Sequence, residues 1–169
     1  ILQQRLPGRR IETVEVREPI VIRMLTGGSF SETLRGRSFL SARRHGPFLR
    51  LDLDQLSIVA HMMLAGRFRL EKGSRRIGGE CFALGLDDGQ CLRYGDTRKM
   101  GRIYVATDEK TSQIPGYREQ GVDALSDELT LDRFRGLIAP KRSQVRVFLM
   151  DQSLEIGRAS CRERVCHRV

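Results

Sequence analysis

A chain of 169 residues, 40% of them hydrophobic, can bury one core, or one core and the start of a second domain. No apolar run approaches the ~18–20 residues of a transmembrane helix, and Ile1-Leu2-Gln3-Gln4-Arg5 lacks the apolar block of a signal peptide. Thirty Lys+Arg against 21 Asp+Glu give +9 and a pI near 10.1, which favours a polyanionic partner, nucleic acid before anionic membrane.

Trp is absent and aromatics are 6%, so the core is aliphatic. Arg outnumbers Lys, and the guanidinium fork suits bidentate contact with phosphate and guanine. The four cysteines do not form a disulfide framework, and a reducing, cytoplasmic setting is expected. Cys161, Cys166 and His167 match no common zinc spacing. There is no initiator Met, so the chain is expected to begin inside a longer protein.

In chain order, Pro7-Gly8-Arg9-Arg10 is a turn and Ile11 to Val16 a β-branched strand with Val14 and Val16 on one face. Ile20 to Ile22 continues extended after Pro19. Ser29 to Leu34 is a short helix capped by Ser29 or Ser31 and closed by Gly36. Strands follow at Ser38–Arg44, Phe48–Leu53, Leu56–Met62 and Phe68–Glu71. The third is nearly continuous apolar and therefore central. Phe82, Leu84 and Leu86 alternate before Asp87-Asp88-Gly89, and Cys91, Leu92 and Tyr94 follow. Asp88-Gly89 predicts a two-residue type I′ hairpin turn. Counting outward sets Cys91 opposite Leu86 and Cys81 opposite Asp96, so the two thiols are not cross-strand partners. Ile103 to Val105 adds a strand. Many short strands separated by turns argue for a sandwich or barrel.

Asp108 to Gly121 reads as polar and irregular. Thr130 caps a helix with Leu131, Phe134 and Ile138 on one face, ended by Pro140. Ser143 caps a second helix with Val145, Phe148 and Leu149 inward. Lys141-Arg142 lies at its N-terminus, where the dipole favours an anion, though a solvated linker has the same composition.

The chain is organised around Leu92 to Arg102. Its strand runs into Asp96-Thr97-Arg98-Lys99-Met100-Gly101, bracketed by Gly95 and Gly101. Adjacent cations beside a protruding apolar side chain suit a protein that neutralises phosphates and pushes a wedge into a base stack. A solvated loop with Met100 folded into the core fits the same residues.

Arg43-Arg44-His45-Gly46-Pro47-Phe48-Leu49, His61-Met62-Met63-Leu64-Ala65-Gly66-Arg67, Leu92-Arg93-Tyr94-x-Asp96-x-Arg98-Lys99-Met100-Gly101, Leu125-Ser126-Asp127 and Leu149-Met150-Asp151-Gln152-Ser153-Leu154 occur in one order. Together they resemble the N-terminal domain of the formamidopyrimidine-DNA glycosylase and endonuclease VIII family, over roughly Leu2 to Leu154. The resemblance implies an α+β, β-dominated fold: an antiparallel β-sandwich with flanking helices, leading to a helix–two-turn–helix domain. It implies residues 1–122 as a sandwich lacking its first residues and 123–154 as the helical start of the next domain. Residues 155–169, which depart from the family's pattern, are expected to be a non-native tail.

The resemblance further implies base-excision repair of damaged, oxidised bases by an N-glycosylase, with lyase cleavage at abasic sites in many members. Damaged double-stranded DNA is the implied partner, met by a monomer in the bacterial cytoplasm at the nucleoid, with no membrane. Arg98 falls on the family's void-filling arginine, Met100 on its intercalating aromatic, Leu64 on a second wedge and Arg142 on a phosphate contact. Lys99 and His61 join this DNA-binding set. The family's catalytic N-terminal Pro-Glu is not in the chain, and Pro47 stands where a lysine assists the lyase step. Gly79 stands at a DNA-contacting histidine. No catalytic residue is therefore expected here, and the fragment is expected to be inactive. No cofactor is expected either, the family's zinc finger lying further C-terminal. Two other classes remain open: a non-catalytic sensor of distorted duplexes, motivated by Pro47 and Gly79, and a basic RNA-binding β-domain, which lacks aromatics for base stacking.

Overall fold

The computed structural model describes residues 2–73, 75–123 and 126–140, and the backbone of 155–156. A short helix α1 (Leu2–Arg5) buries Leu2 and leads to the buried Leu6. Strand β1 (Ile11–Val16) follows, and then a 3-10 turn at Pro19–Val21 instead of the expected extended run. Pro19 opens that turn, since its ring presets φ and no N–H is needed there. Strand β2 (Ile22–Met24) is correspondingly short. Helix α2 (Phe30–Leu34) is capped by Ser29, which accepts from the Glu32 N–H while the Glu32 carboxylate accepts from the Ser29 N–H.

Strands β3 (Phe39–His45), β4 (Phe48–Leu53), β5 (Leu56–His61), β6 (Arg67–Lys72), β7 (Glu80–Leu86), β8 (Gln90–Gly95) and β9 (Arg102–Ala106) complete two sheets. One has the order β1-β7-β8-β6 and the other β2-β9-β5-β4-β3. Their inner faces enclose the main core, including Ile11, Leu34, Leu51, Ile58, Leu84, Leu92 and Ile103. The expected sandwich is present but mixed, because β2 runs parallel to β9.

As expected from its continuous apolar run, β5 lies at the centre of its sheet. Both of its faces are covered. Ile58 and Ala60 join the inner core, and Val59 packs outward with Phe48, Tyr104, Ile114 and Tyr117. Ile114 and Tyr117 belong to the stretch expected to be merely irregular. It forms a 3-10 turn at Glu109–Gln113 and roofs the outer face of the sheet.

Two details of register differ from expectation. The hairpin turn has three residues, Asp87-Asp88-Gly89. The Gly89 N–H donates to the Leu86 carbonyl at 3.1 Å, and Gly89 takes φ +74°. A turn followed by a left-handed glycine closes a three-residue hairpin and slides the pairing by one. Cys91 therefore faces Gly85, and Cys81 falls in the irregularity between Glu80 and Phe82. The thiols still do not pair, and both are free. In β1, a register shift between Ile11 and Thr13 buries Ile11 with Val14. Val16, at the end of this edge strand, is exposed.

Helix α3 (Leu131–Ile138) starts at Thr130, whose hydroxyl accepts from the Arg133 N–H at 3.2 Å. Phe134 and Ile138 are half-buried, but Leu131 is exposed, so the expected apolar face is only partly covered. The second expected helix, with Arg142, Ser143 and Val145, lies outside the described residues, as do 157–169. Val122–Asp123 (β10) pairs in parallel with Glu155–Ile156 (β11), the first residues of the stretch expected to be foreign.

Candidate nucleic-acid interface

The pairing registers bring three connections to one end of the sandwich. Phe48 pairs with both His45 and His61, and His61 with Arg102, so β3, β5 and β9 meet the loops at a common edge. Gly95 pairs with Arg67 and Glu80 at the matching edge of the other sheet. The segment 62–66 passes from β5 in one sheet to β6 in the other, and 96–101 passes from β8 back to β9. Two sheet-crossing loops thus share one end, and each presents an exposed apolar side chain: Leu64 at 54% and Met100 at 45% exposure. Met100 does not fold into the core, which removes the solvated-loop alternative in its original form.

Both loops are held from beneath. Asp96 is fully buried. Its carboxylate accepts from the Arg98 N–H at 3.0 Å and the Gly101 N–H at 2.6 Å, an Asx-type closure that sets the path between them. Lys99 takes φ +54° and its N–H donates to the Asp96 carbonyl. The other loop is closed by the Gly66 N–H donating to the Met62 carbonyl at 2.9 Å. His61 is half-buried against Phe48, and its Nδ1 accepts from the Met63 N–H at 3.3 Å. The ring therefore supports the turn that carries Leu64.

Charge collects around the wedges. Arg67, Arg75, Arg76, Arg98, Lys99 and Arg102 are exposed at this end or in the connection leading to it. Lys99 reaches Glu18 at 2.7 Å, but both side chains are well exposed, so a phosphate can replace that carboxylate at little cost. Two further carboxylates at this end, Asp96 and Glu80, are buried and committed. Asp96 holds the loop, and Glu80 accepts from Arg93 and Arg17, each at 3.0 Å. Burial pushes the Glu80 carboxyl up, but these guanidiniums and the Ile77 N–H outweigh it and hold it below the usual carboxylate range. Arg93 also donates to the Gly73 carbonyl, so this pair fixes both ends of the 73–79 connection.

A cavity of about 190 Å³ opens beside Pro47, lined by Phe48, His61, Met63, Arg102, Tyr104 and Gln120 among others. Among the described residues no carboxylate lines it. A larger one of about 740 Å³ lies between the sandwich and α3, with Arg44, Arg118, Asp123 and Arg133 in its wall. Arg44 pairs with Asp123 across the expected boundary at 122/123.

A sequence model of the formamidopyrimidine-DNA glycosylase N-terminal domain matches residues 1–103. The chain belongs to this family. A formamidopyrimidine-DNA glycosylase of Heliobacterium modesticaldum is 32% identical over 161 residues, covering 92% of this chain and 58% of that protein. One from Lactobacillus delbrueckii subsp. bulgaricus is 30% identical over 153 residues, 89% and 55% of the two chains. The chain thus spans a little over half the length of these relatives. Its fold is that of the Lactococcus lactis Fpg (MutM) solved with DNA containing FAPY-dG. The TM-score is 0.78 at 21% identity, over 92% of this chain and 59% of that one. The same enzyme solved with abasic-site DNA superposes equally well.

Within the family, Gly79 now has a physical account. Its φ is +67°, and a Cβ there would lie 2.7 Å from the Thr97 backbone nitrogen, while the Gly79 carbonyl accepts from the Asp96 N–H at 2.8 Å. The glycine lets the 73–79 connection lie against the wedge loop, a position that a histidine side chain would disrupt. Arg142 lies outside the described residues. Among the described residues no three His, Cys, Asp or Glu gather, and burial pushes the Cys81 and Cys91 thiols up. Reading the sequence alone quoted Arg67 and Tyr94 within the ordered motifs and Arg102 at the end of the central stretch, but gave none of them a role. Their role depends on the meeting of the two sheets at this end.

Proposed function

We propose that this chain is the duplex-probing sandwich of a base-excision DNA glycosylase acting on damaged, oxidised bases. The observation that carries the reading is the convergence of two sheet-crossing loops at one basic end, one presenting the exposed Leu64 and the other the exposed Arg98 and Met100. Arg67, Arg75, Arg76 and Lys99 neutralise phosphates along the duplex. Leu64 and Met100 enter the stack where it is weakened, and Arg98 follows into the space that an extruded base leaves. A guanidinium suits that space because its fork can donate to the orphaned partner base and its plane can stack. Met keeps an apolar wedge without the stacking of a ring. We read the longer protein as a monomer working at the nucleoid in the bacterial cytoplasm, with 123–154 entering the next domain and a lyase step following base release.

Binding decides the first part. The 169-residue chain should prefer a duplex carrying a tetrahydrofuran abasic site to the undamaged duplex, and Arg98→Ala should erase most of that preference. Equal binding of both duplexes by the parent chain, or a preference for structured RNA, defeats the reading.

A second reading, a damaged-DNA sensor without chemistry, draws on Pro47 and the cavity beside it. Proline offers no titratable group, and the lining includes no carboxylate to move a proton. Base release from lesion-bearing duplexes by the protein extended to the family's full length separates the two. Product on any oxidised-base duplex excludes the sensor, and none on any of them excludes the glycosylase.

A further inference from the structure

Tyr94 lies at the end of β8, directly beneath both wedge loops. Its ring is fully buried, stacked on Phe82 at 5.4 Å and tilted on Phe68 at 4.9 Å. Its hydroxyl is equally buried and has no hydrogen-bond partner among the described residues. Leaving a buried hydroxyl unpaired costs free energy, so its place calls for a reason other than hydrogen bonding. The reason is steric. A Cβ on Gly66 or on Gly101 would overlap this oxygen in either case. Gly66 ends the turn that carries Leu64, and Gly101 ends the loop that carries Arg98 and Met100. One oxygen atom is therefore the common floor on which the two loops rest.

We infer that Tyr94 is a positioning residue that sets the spacing of the two wedges, its hydroxyl acting as a spacer between Gly66 and Gly101 so that Leu64 and Met100 enter DNA together. The inference rests on the duplex-probing reading above. The ring is anchored in the core by Phe68 and Phe82, so the spacer is rigid, and each loop can come no closer than its glycine allows. The two wedges then move as one unit, although they lie on segments about 35 residues apart in sequence and share no strand pairing.

A size-swap series on the 169-residue chain tests this. Gly101 carries no positive φ, so Gly101→Ala meets mainly the hydroxyl, and its next contacts are Asp96 Oδ2 at 3.0 Å and Tyr94 Cζ at 3.1 Å. A misplacement of about an ångström can cost up to about a hundredfold in a catalysed reaction; wedge insertion is less exacting, and we expect Gly101→Ala to lower the preference for abasic over undamaged duplex about tenfold. Tyr94→Phe removes the oxygen, so the double variant Tyr94→Phe/Gly101→Ala should regain most of that loss. Gly66→Ala should not be rescued, because its Cβ also meets the Met62 carbonyl. The fluorescence of 2-aminopurine beside the abasic site reports wedge insertion and should follow the same order.

Hydrogen exchange without DNA supplies an independent reading. Tyr94→Phe removes an unpaired hydroxyl and keeps the ring, so the fold should hold. The Gly66 and Gly101 amides should exchange faster together, while amides in β5 and β9 stay unchanged. Failure of the double variant to recover, or acceleration in one loop alone or in neither, overturns the inference. Equal binding of both duplexes by the parent chain would instead defeat the DNA reading, and the exchange data would still decide whether Tyr94 couples the loops.

Discussion

The loops at 62–66 and 96–101 and the hairpin turn at Gly46-Pro47 stand at the same end of the molecule, yet they are built differently. Each wedge loop is closed on itself by backbone hydrogen bonds, seated on a buried group and left with an apolar side chain in solvent. The Gly46-Pro47 turn only joins β3 to β4 beside a small cavity and carries no group that titrates. Probing a duplex depends on where side chains stand, which many buried contacts enforce together. Proton transfer depends on one functional group, which a single substitution removes. The mechanical part of a site can therefore stay intact where the chemical part has changed.

The largest expected effect lies under the wedge loops. Glu80→Ala leaves Arg93 buried and unpaired and should destabilise the fold by about 3–5 kcal/mol, read by chemical denaturation. A loss no larger than that of an exposed charge would mean that the 73–79 connection is not braced as described. Next is Arg98→Ala, which should cost abasic-duplex binding about 1.5–3 kcal/mol, the range for hydrogen bonds to a charged group. Its thermal midpoint should not move, because the side chain is exposed. Leu64→Ala and Met100→Ala should each weaken abasic binding by about 1 kcal/mol, in line with the apolar area a wedge buries, again without loss of stability. Introducing a lysine at Pro47 should leave abasic binding unchanged. A Pro47→Lys variant that bound much more tightly would show that this turn belongs to the probing machinery after all. Among the substitutions expected to change binding, the smallest effect is that of Lys99→Ala, which should reduce the slope of log K against log salt by about one, the mark of a single phosphate contact.

Acid stability sharpens the same contrast. Glu80 is held below its ordinary value when folded, as is Asp52, where the bonds from Ser41 and Arg50 outweigh burial. Each carboxylate therefore contributes its full stabilisation above the pKa of the unfolded chain, and loses it as pH falls through the lower folded value. Stability should fall on acidification through and below the usual carboxylate range, and Glu80→Gln should flatten that fall in denaturation curves taken from neutral pH downward.

Much of this was written in local sequence. Alternating apolar residues located β4, β7 and β8, the nearly continuous apolar run Leu56 to Met62 marked a central strand, and Ser29 and Thr130 capped helices where expected. These follow from period, propensity and capping, which act within a few residues. The ordered motifs also marked out the wedge loop and named Arg98, Met100 and Leu64.

Other features depended on contacts between distant segments. The one-residue slide of the hairpin, the parallel pairing of β2 with β9, the 3-10 turn at Pro19–Val21 and the exposure of Val16 all depend on what packs alongside. Gly79, Gly66 and Gly101 looked in sequence like ordinary turn residues. Only the fold shows that their missing side chains make room for Thr97 and for the Tyr94 hydroxyl. By itself, the sequence determined the strands, the caps and the two loops that present Leu64, Arg98 and Met100. The tertiary structure decided their spacing, because only the meeting of two sheets brings one buried tyrosine under two loops at once.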